Sequence, residues 1–557
     1  MPNPQELIER LGLLKGQRSN FDVLWDEVQH YVWPDGDDFL ERRSAGEKTT
    51  RKLYDTTAAN ALDKFTAAME SFLVPRHLRW HGLRAIDDSL NKRREVKDFF
   101  EQTTKRLFKF RELPSARFYG QMGENLRSIG AYGNGCLFID ENESSSGVRY
   151  RHIPIGKTWI EVDYNGIVDT VYYEYTLTAK AAAQKWPDDV PEKAAQCLDM
   201  GRRHEELTYL HVVMPNDRDK IDPESVMPEA MPFIAYDVEV ESQTLISQPI
   251  GEDGVVNYIG GYFEMPYVWS RFTLNPNEIY GRGPAMMALP DILTLQEMEK
   301  TFLRSGHKVA DPPLLVAHDG RLGRGRRQIR LSPGGLNYGG VDESGRPKII
   351  PLQTGARLDI TEEMKRQKRD AIFDLFFVKL FDILAHNRVE MTATEVVERS
   401  REKGQLVTPV VGRQQSEMLG PMIEREISIL ERQGMLPPVP EALIETGGRF
   451  EIEYDTLATR MQQSDEMAAY QRLIAVFQPQ IEQDPSLMQV LRAEDAMREF
   501  GETSGIRASL FRSKDEMTEM REQQAQQAQA QQVMQNALPA AQAAKTLSEI
   551  PPGDAPQ

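Results

Sequence analysis

The residue nearest to nucleotide chemistry is Lys157, in Gly156-Lys157-Thr158. A phosphate-cradling loop of the form GxxxxGK[ST] needs a glycine five positions before the GK pair, so that the backbone can wrap closely around the phosphates. Arg151 stands there instead. With strand-like segments on both sides, the triplet is expected to be a turn. His204-Glu205 opens like a zinc-protease helix, but the second histidine has to follow the glutamate by three residues, and His211 lies too far along. The stretch KAAQCLDMGRRHEELTY is expected to be a polar bend. No GxSxG elbow occurs, and the abundant Asp and Glu have the distribution of solvated surface. Cys136 and Cys197 are too few for a disulfide framework or a metal site and are expected to be plain buried thiols. No catalytic residue, metal or cofactor is expected, and the chain reads as a non-enzyme.

Charge offers a second kind of chemistry. The 557 residues carry 85 acids against 67 bases, a formal net charge of −18. A protein that coats nucleic acid by neutralising phosphates is normally basic, so that class is disfavoured, whereas one that lets DNA slide past is not. Against this background Arg321, Arg324, Arg326, Arg327 and Arg330 crowd into RLGRGRRQIR. Between Asp311 and Arg357 eight bases face four acids. Two readings stay open for the cluster: a docking surface for an acidic partner or DNA backbone, or a loop paired with neighbouring subunits or simply solvated.

These residues need elements to hold them. Leu7, Leu11, Leu14, Phe21, Leu24 and Val28 recur at helical spacing over 4–32, and WPDGDD stops the run. Helices are expected at 56–74, with Ala58, Leu62, Phe65, Met69 and Phe72 on or near one face, at about 91–110, and at about 116–129. From Gly135 the pattern changes to short alternating segments bounded by Gly, Asn and Ser, the mark of hairpins. A helical insert near 178–197 interrupts them, and strands resume to about 272. The first 280 residues are therefore expected to be an α+β body with mostly antiparallel strands.

Gly283-Pro284 opens a long helix to about Val309, ended by DPP. Short β signals follow in LLVA, QIRL and KIIPL. A second long helix is expected from after Gly355 to about Leu384; its first half is charged, with Glu362 spaced to pair with Arg366, and its second half, AIFDLFFVKLFDIL, is apolar on most faces and must be enclosed by protein. AHNRVEM breaks the pattern before a third long helix to about Gln433. The Gln-rich run 523–535 is low-complexity, and PPGDAPQ is a frayed end. No stretch of about 18 apolar residues suggests a membrane span, and MPNPQELIERLG lacks the features of a secretory signal.

Three segments in order carry a resemblance. LYDTTAANALDKFTAAMESFLVPRHLRWHGL, EIYGRGPAMMALPDILTLQEMEK and RVEMTATEVVERSREKG are similar to sequences of the portal (head-to-tail connector) family of short-tailed bacteriophages, and the likeness covers roughly residues 1 to 460. The resemblance implies a portal-type α+β fold: wing 1–283, stem helix 284–310, clip 311–356, second stem helix 357–384, tunnel loop 385–391, wing return helix 392–460, helical crown or barrel 461–535, and a frayed tail 536–557. It implies a homo-dodecameric ring at one capsid vertex, the conduit for double-stranded DNA in packaging and ejection. The implied partners are terminase, tail adaptors, and major capsid and scaffolding proteins, with no membrane; assembly would take place in the host cytoplasm and the product would sit in the virion. In that frame His386, Asn387, Arg388 and Glu390 are expected to line the tunnel, although a plain helix connector is the alternative there. The five clip arginines are expected to bind partners. The rival readings are another virion assembly component, such as a tail adaptor or scaffolding-type protein, and a DNA-packaging ATPase, which the defective GKT motif disfavours.

Overall fold

In the computed structural model the chain divides into two units, residues 1–456 and 457–557. The structure describes residues 3–455 and Arg472, except 41–43, 45, 77, 143–146, 188, 223–224, 226, 247–258, 317–340, 342–343, 348, 352–357, 380–408, 446 and 448. The helices and strands with described ends all lie within the first unit, between Pro4 and Tyr454.

Helix α1 (Pro4–Tyr31) starts at Asn3, whose side chain caps the Gln5 amide. Leu7, Leu11 and Leu14 bury one stripe against a cross-strand row of Trp159, Tyr172, Val212 and Tyr236. That row belongs to the larger sheet, β4 (Thr158–Val162), β5 (Val168–Thr178), β6 (Glu206–Pro215), β7 (Phe233–Glu239) and β8 (Thr244–Ile246) in sequential order, with β9 (Gly260–Tyr262) also paired to β7. The helical insert is two short helices, α5 (Ala179–Lys185) and α6 (Glu192–Asp199), which bury Ala182, Trp186, Ala194 and Cys197 against Leu207 and Tyr209.

A second sheet orders β10 (Tyr267–Arg271), β2 (Asn134–Glu141) and β3 (Val148–His152). Around it pack α2 (Thr57–Leu73) and α4 (Phe118–Tyr132), whose Ala61, Leu62, Phe65, Met122, Leu126 and Ile129 join the main core. Every strand pair described is antiparallel, as the alternating segments predict. Gly133 ends α4 in the left-handed region at φ 72°, and a Cβ there would meet the Gly283 nitrogen at 2.4 Å. Only glycine allows the two backbones to cross so closely. A small outlying sheet pairs β1 (His81–Ala85) with β13 (Phe450–Tyr454), covered by α3 (Arg94–Arg111) and α10 (Glu441–Ile444).

Helix α7 (Pro284–Ala310) begins with proline in its first turn, and all its buried residues fall between Pro284 and Gln296. Beyond that point Leu303 and Val309 are exposed. Its partner is α8 (Leu358–Leu375), and the two-stranded ribbon β11 (Leu314–Val316) with β12 (Ile349–Pro351) lies between them in sequence. The expected continuous helix to Leu384 is interrupted: Phe377 takes a left-handed φ of 58°, and residues 376–377 form a turn. At the break Phe376 is fully buried beside Phe65, and Phe377 lies 6.2 Å from Phe272. Residues 378–379 are helical again, and from 409, where the described chain continues, a helix passes through a wide turn (Gln415–Leu419) into α9 (Gly420–Arg432). Among the described residues no helix is long and apolar enough to cross a membrane.

Candidate functional site

The chemistry-bearing triplet Gly156-Lys157-Thr158 is a turn with the wrong polarity for phosphate. Arg18, buried within the apolar stripe of α1, donates to the carbonyls of Ile155 (2.9 Å), Gly156 (2.8 Å) and Thr158 (2.5 Å). The Gly156 N–H donates to Asp37 at 3.2 Å. Carbonyls converging on a guanidinium cannot cradle an anion, which requires converging N–H groups. His204 and Glu205 lie exposed in a bend. Cys136 and Cys197 are both buried and free, as expected, and burial pushes the Cys136 thiol far up. Among the described residues no group of three or more His, Cys, Asp or Glu could hold a metal ion.

The two expected functional segments fall outside the described residues: the arginines at 321, 324, 326, 327 and 330, and the tunnel residues His386, Asn387, Arg388 and Glu390. The structure does describe where the chain departs toward them and where it returns. The arginine segment is bracketed by β11 and β12, in which Leu315 and Ile350 face each other across the ribbon and are both exposed. The second segment leaves after Val378 and Lys379 and returns at 409.

The α7/α8 pair is fixed to the body at a joint formed by Tyr54 and Asp55. Gln296 of α7 accepts from the Tyr54 amide (2.8 Å) and the Asp55 amide (3.1 Å), and its Nε2 donates to the Asp55 carbonyl at 2.6 Å. Arg369 of α8 donates two bonds to the Asp55 carboxylate, at 2.9 and 3.1 Å. The Thr57 amide donates to the other carboxylate oxygen at 2.7 Å. Burial opposes the charge on Asp55, but Thr57 and Arg369 outweigh it and hold the carboxyl below its usual range. Further out, Lys365 is buried between Glu299 (2.9 Å) and Glu362 (2.7 Å), with its ammonium 3.5 Å from the centre of the Phe302 ring. Burial works against the Lys365 charge, and the two glutamates more than restore it. The expected Glu362–Arg366 pair does not form. Glu362 turns to Lys365, which Glu299 has drawn inward, and Arg366 pairs with Glu363 at 3.2 Å.

The returning helix is clamped by three arginine–carboxylate sets. Arg271 of β10 holds Glu417 with its amide (2.9 Å), Nε (3.1 Å) and Nη2 (3.0 Å). Arg425 donates to the carbonyls of Ile139 (2.7 Å) and Glu264 (2.9 Å) and reaches the Glu264 carboxylate at 3.3 Å. Arg111 of α3 donates to Glu426, which also receives the Tyr150 hydroxyl, and an Arg111 nitrogen lies 2.7 Å from His81 Nε2. Burial and then the Arg111 charge push the His81 pKa well below the usual histidine range, so the imidazole is neutral. None of these clamps was legible as a site. A signal for two of them was present, in that Arg425 and Glu426 interrupt the otherwise apolar buried stripe of α9.

The described residues form a body that roots one helix pair and firmly seats one return helix. Residues 4–511 match the family described as bacteriophage head to tail connecting protein. The chain belongs to that family. It is similar to the portal protein of Salmonella phage epsilon15, 25% identical over 559 residues that cover 99% of this chain and 96% of that one. It is also similar to a probable portal protein of Bordetella phage BPP-1, 25% identical over 465 residues, 82% and 80% of the two chains. Head to tail connecting proteins are structural components of the virion, which agrees with the failure of each catalytic motif on a specific residue.

Proposed function

We propose that this chain is a portal subunit, twelve copies of which form a ring at one capsid vertex through which DNA is packaged and ejected. The observation that carries the reading is the family match over 4–511 joined to the shape of α7, which buries nothing beyond Gln296 yet continues to Ala310 beside α8. A helix pair that leaves its own core in this way suits a stem enclosed by neighbouring copies. Residues 1–283 form the wing, 311–356 the clip and 392–460 the wing return, with the crown beyond.

Twelve copies carry roughly −216 formal charges, so the wall repels phosphate and DNA slides without sticking, while local basic rings guide it. His386, Asn387, Arg388 and Glu390 face the DNA at the constriction, and Arg321, Arg324, Arg326, Arg327 and Arg330 dock terminase during packaging and tail adaptors afterwards. Major capsid and scaffolding proteins contact the wing during assembly in the host cytoplasm.

Negative-stain imaging and native mass spectrometry of the purified chain test the ring: twelvefold particles with a central hole are expected, and a protein that stays monomeric in the presence of scaffold sinks the reading. Deleting 385–391 should change packaged genome length or retention. Reversing Arg324, Arg326 and Arg327 to Glu should abolish terminase or adaptor pull-down; retention of both moves these arginines to a subunit contact.

A further inference from the structure

The small sheet of β1 and β13 has two edges, and they are finished differently. The Asp455 amide donates to the Trp80 carbonyl at 2.9 Å, and Gly82 and Arg84 stand opposite Glu453 and Glu451. Hydrogen-bonded pairs alternate along an antiparallel ladder, so the backbone groups of Glu451 and Glu453 point toward β1 and those of Phe450 and Ile452 point away. The same alternation turns Ala85 outward on β1, and there the edge is closed. Asn91 Nδ2 donates to the Ala85 carbonyl and the Ala85 amide donates to Asn91 Oδ1, each at 2.8 Å. On β13 nothing among the described residues takes the Ile452 N–H or carbonyl, and no further described strand lies beside it. Proline, lysine and bulges are the usual ways to blunt an edge, and Phe450–Tyr454 carries none of them.

The side chains specify which strand fits. The covered face of β13 presents Phe450 and Ile452, both half-buried, so an added strand needs apolar residues on that face. On the open face Glu451 is shared with Arg84 at 3.1 Å. Glu453 is exposed, stands opposite Gly82 and has no ion pair among the described residues. Arg449 is exposed just ahead of the strand, so the unmatched negative charge sits at Glu453. A lysine or arginine beside it completes a cross-strand pair. A second β13 paired about Ile452 would instead set Glu451 of one copy against Glu453 of the other, which disfavours that occupant.

We propose that the free edge of β13 receives an extended segment of a partner polypeptide, antiparallel to it, with one Lys or Arg beside Glu453 and apolar residues beside Phe450 and Ile452. Backbone pairing at Ile452 supplies the affinity, and the alternation of side chains supplies the choice. The added strand turns a two-stranded ribbon, marginal by itself, into a three-stranded sheet. This inference goes beyond the ring reading and stands on the fold of one chain.

The probe is a fluorescent synthetic peptide, Thr-Lys-Val-Thr-Val-Thr, with a control in which the lysine is replaced by glutamate. On the full chain the lysine peptide should slow hydrogen exchange across 449–455 about tenfold, the equilibrium factor of one backbone hydrogen bond, while β5 and β6 do not change. Fluorescence anisotropy should show the glutamate peptide binding about fivefold more weakly. Ile452→Pro removes an N–H that serves no ladder bond and should weaken the lysine peptide about tenfold. Glu453→Lys alters an exposed side chain without an ion pair, so the fold is kept, and it should reverse the preference between the two peptides. The proposal is overturned by unchanged exchange at about 1 mM lysine peptide, by equal affinity for both peptides, or by a preference that survives Glu453→Lys. Self-association of the chain that Ile452→Pro abolishes, without peptide binding, would assign the edge to a second copy and overturn it as well.

Discussion

Arg111 and Glu426 lie 315 positions apart in sequence and meet as a fully buried ion pair, with the Arg111 Nε 3.0 and 3.2 Å from the two carboxylate oxygens. The pair joins α3 to α9, and the Tyr150 hydroxyl from β3 closes on the same carboxylate. The rings of Trp80 and Phe108 lie within 4.7 and 5.1 Å of the guanidinium. Two charges taken this far from water hold only because almost every donor and acceptor is engaged.

Removing one partner should therefore cost far more than removing both. Glu426→Leu or Arg111→Met alone is expected to destabilise the folded chain by about 3–5 kcal/mol, the range for a buried charge stripped of its partner. The double replacement Arg111→Met with Glu426→Leu should recover a large part of that. Urea unfolding of the four proteins gives the coupling; singles that add up to the double would show that the two groups act independently.

Acid should loosen the α+β body, and its histidines set the sign. Burial holds His152 and His211 at pKa values of about 4 in the folded chain, whereas an ordinary histidine titrates near 6.5. The unfolded chain therefore binds more protons between these values, and stability falls as pH drops from about 6.5 toward 4, by about 3 kcal/mol for His211 alone. Asp37 works the other way: burial raises its carboxyl to about 6, so its protonated form favours the fold below that pH and the contribution fades as pH rises through 6. Two histidines outweigh one aspartate. The melting temperature should fall between pH 7 and pH 5, and His211→Gln, which keeps an amide opposite the Tyr267 hydroxyl now 2.6 Å away, should flatten the profile. An equally steep profile in that variant would remove His211 from the account.

The local elements were legible where one physical rule acted alone. The Leu7, Leu11, Leu14 stripe produced α1, alternation produced β2 to β7, and Gly283-Pro284 opened α7. The strand Phe450–Tyr454 has the same alternation, but its partner β1 lies so far off that Arg84 and Glu451 are separated by 367 positions, and no local pattern points across that distance. Spacing also misled where tertiary contacts competed. Glu362 and Arg366 have ideal helical spacing, yet the buried Lys365 takes Glu362 because α7 supplies Glu299 from the other side. Of the site, the flanks of the arginine segment were legible, while Asp55 was visible only as one residue of the LYDTTAAN stretch in the resembling segment, with no assigned task.

That joint yields the last prediction. One carboxylate and one peptide unit at residue 55 receive both α8, through Arg369, and α7, through Gln296, so Asp55 sets where the two helices leave the body. Asp55→Ala should remove the Arg369 bond and the Thr57 amide bond together, at a cost of about 2–4 kcal/mol from one half-buried charge-assisted pair and one bond at the helix start. Exchange protection should fall mainly in 297–310 and 362–375, while β5 and β6 keep theirs. Reversing the pair, Asp55→Arg with Arg369→Asp, should not restore it, because Thr57 has no carboxylate left to cap its amide. Full rescue by that reversal would mean that charge alone, and not the shared geometry of Asp55, holds the helix pair in place.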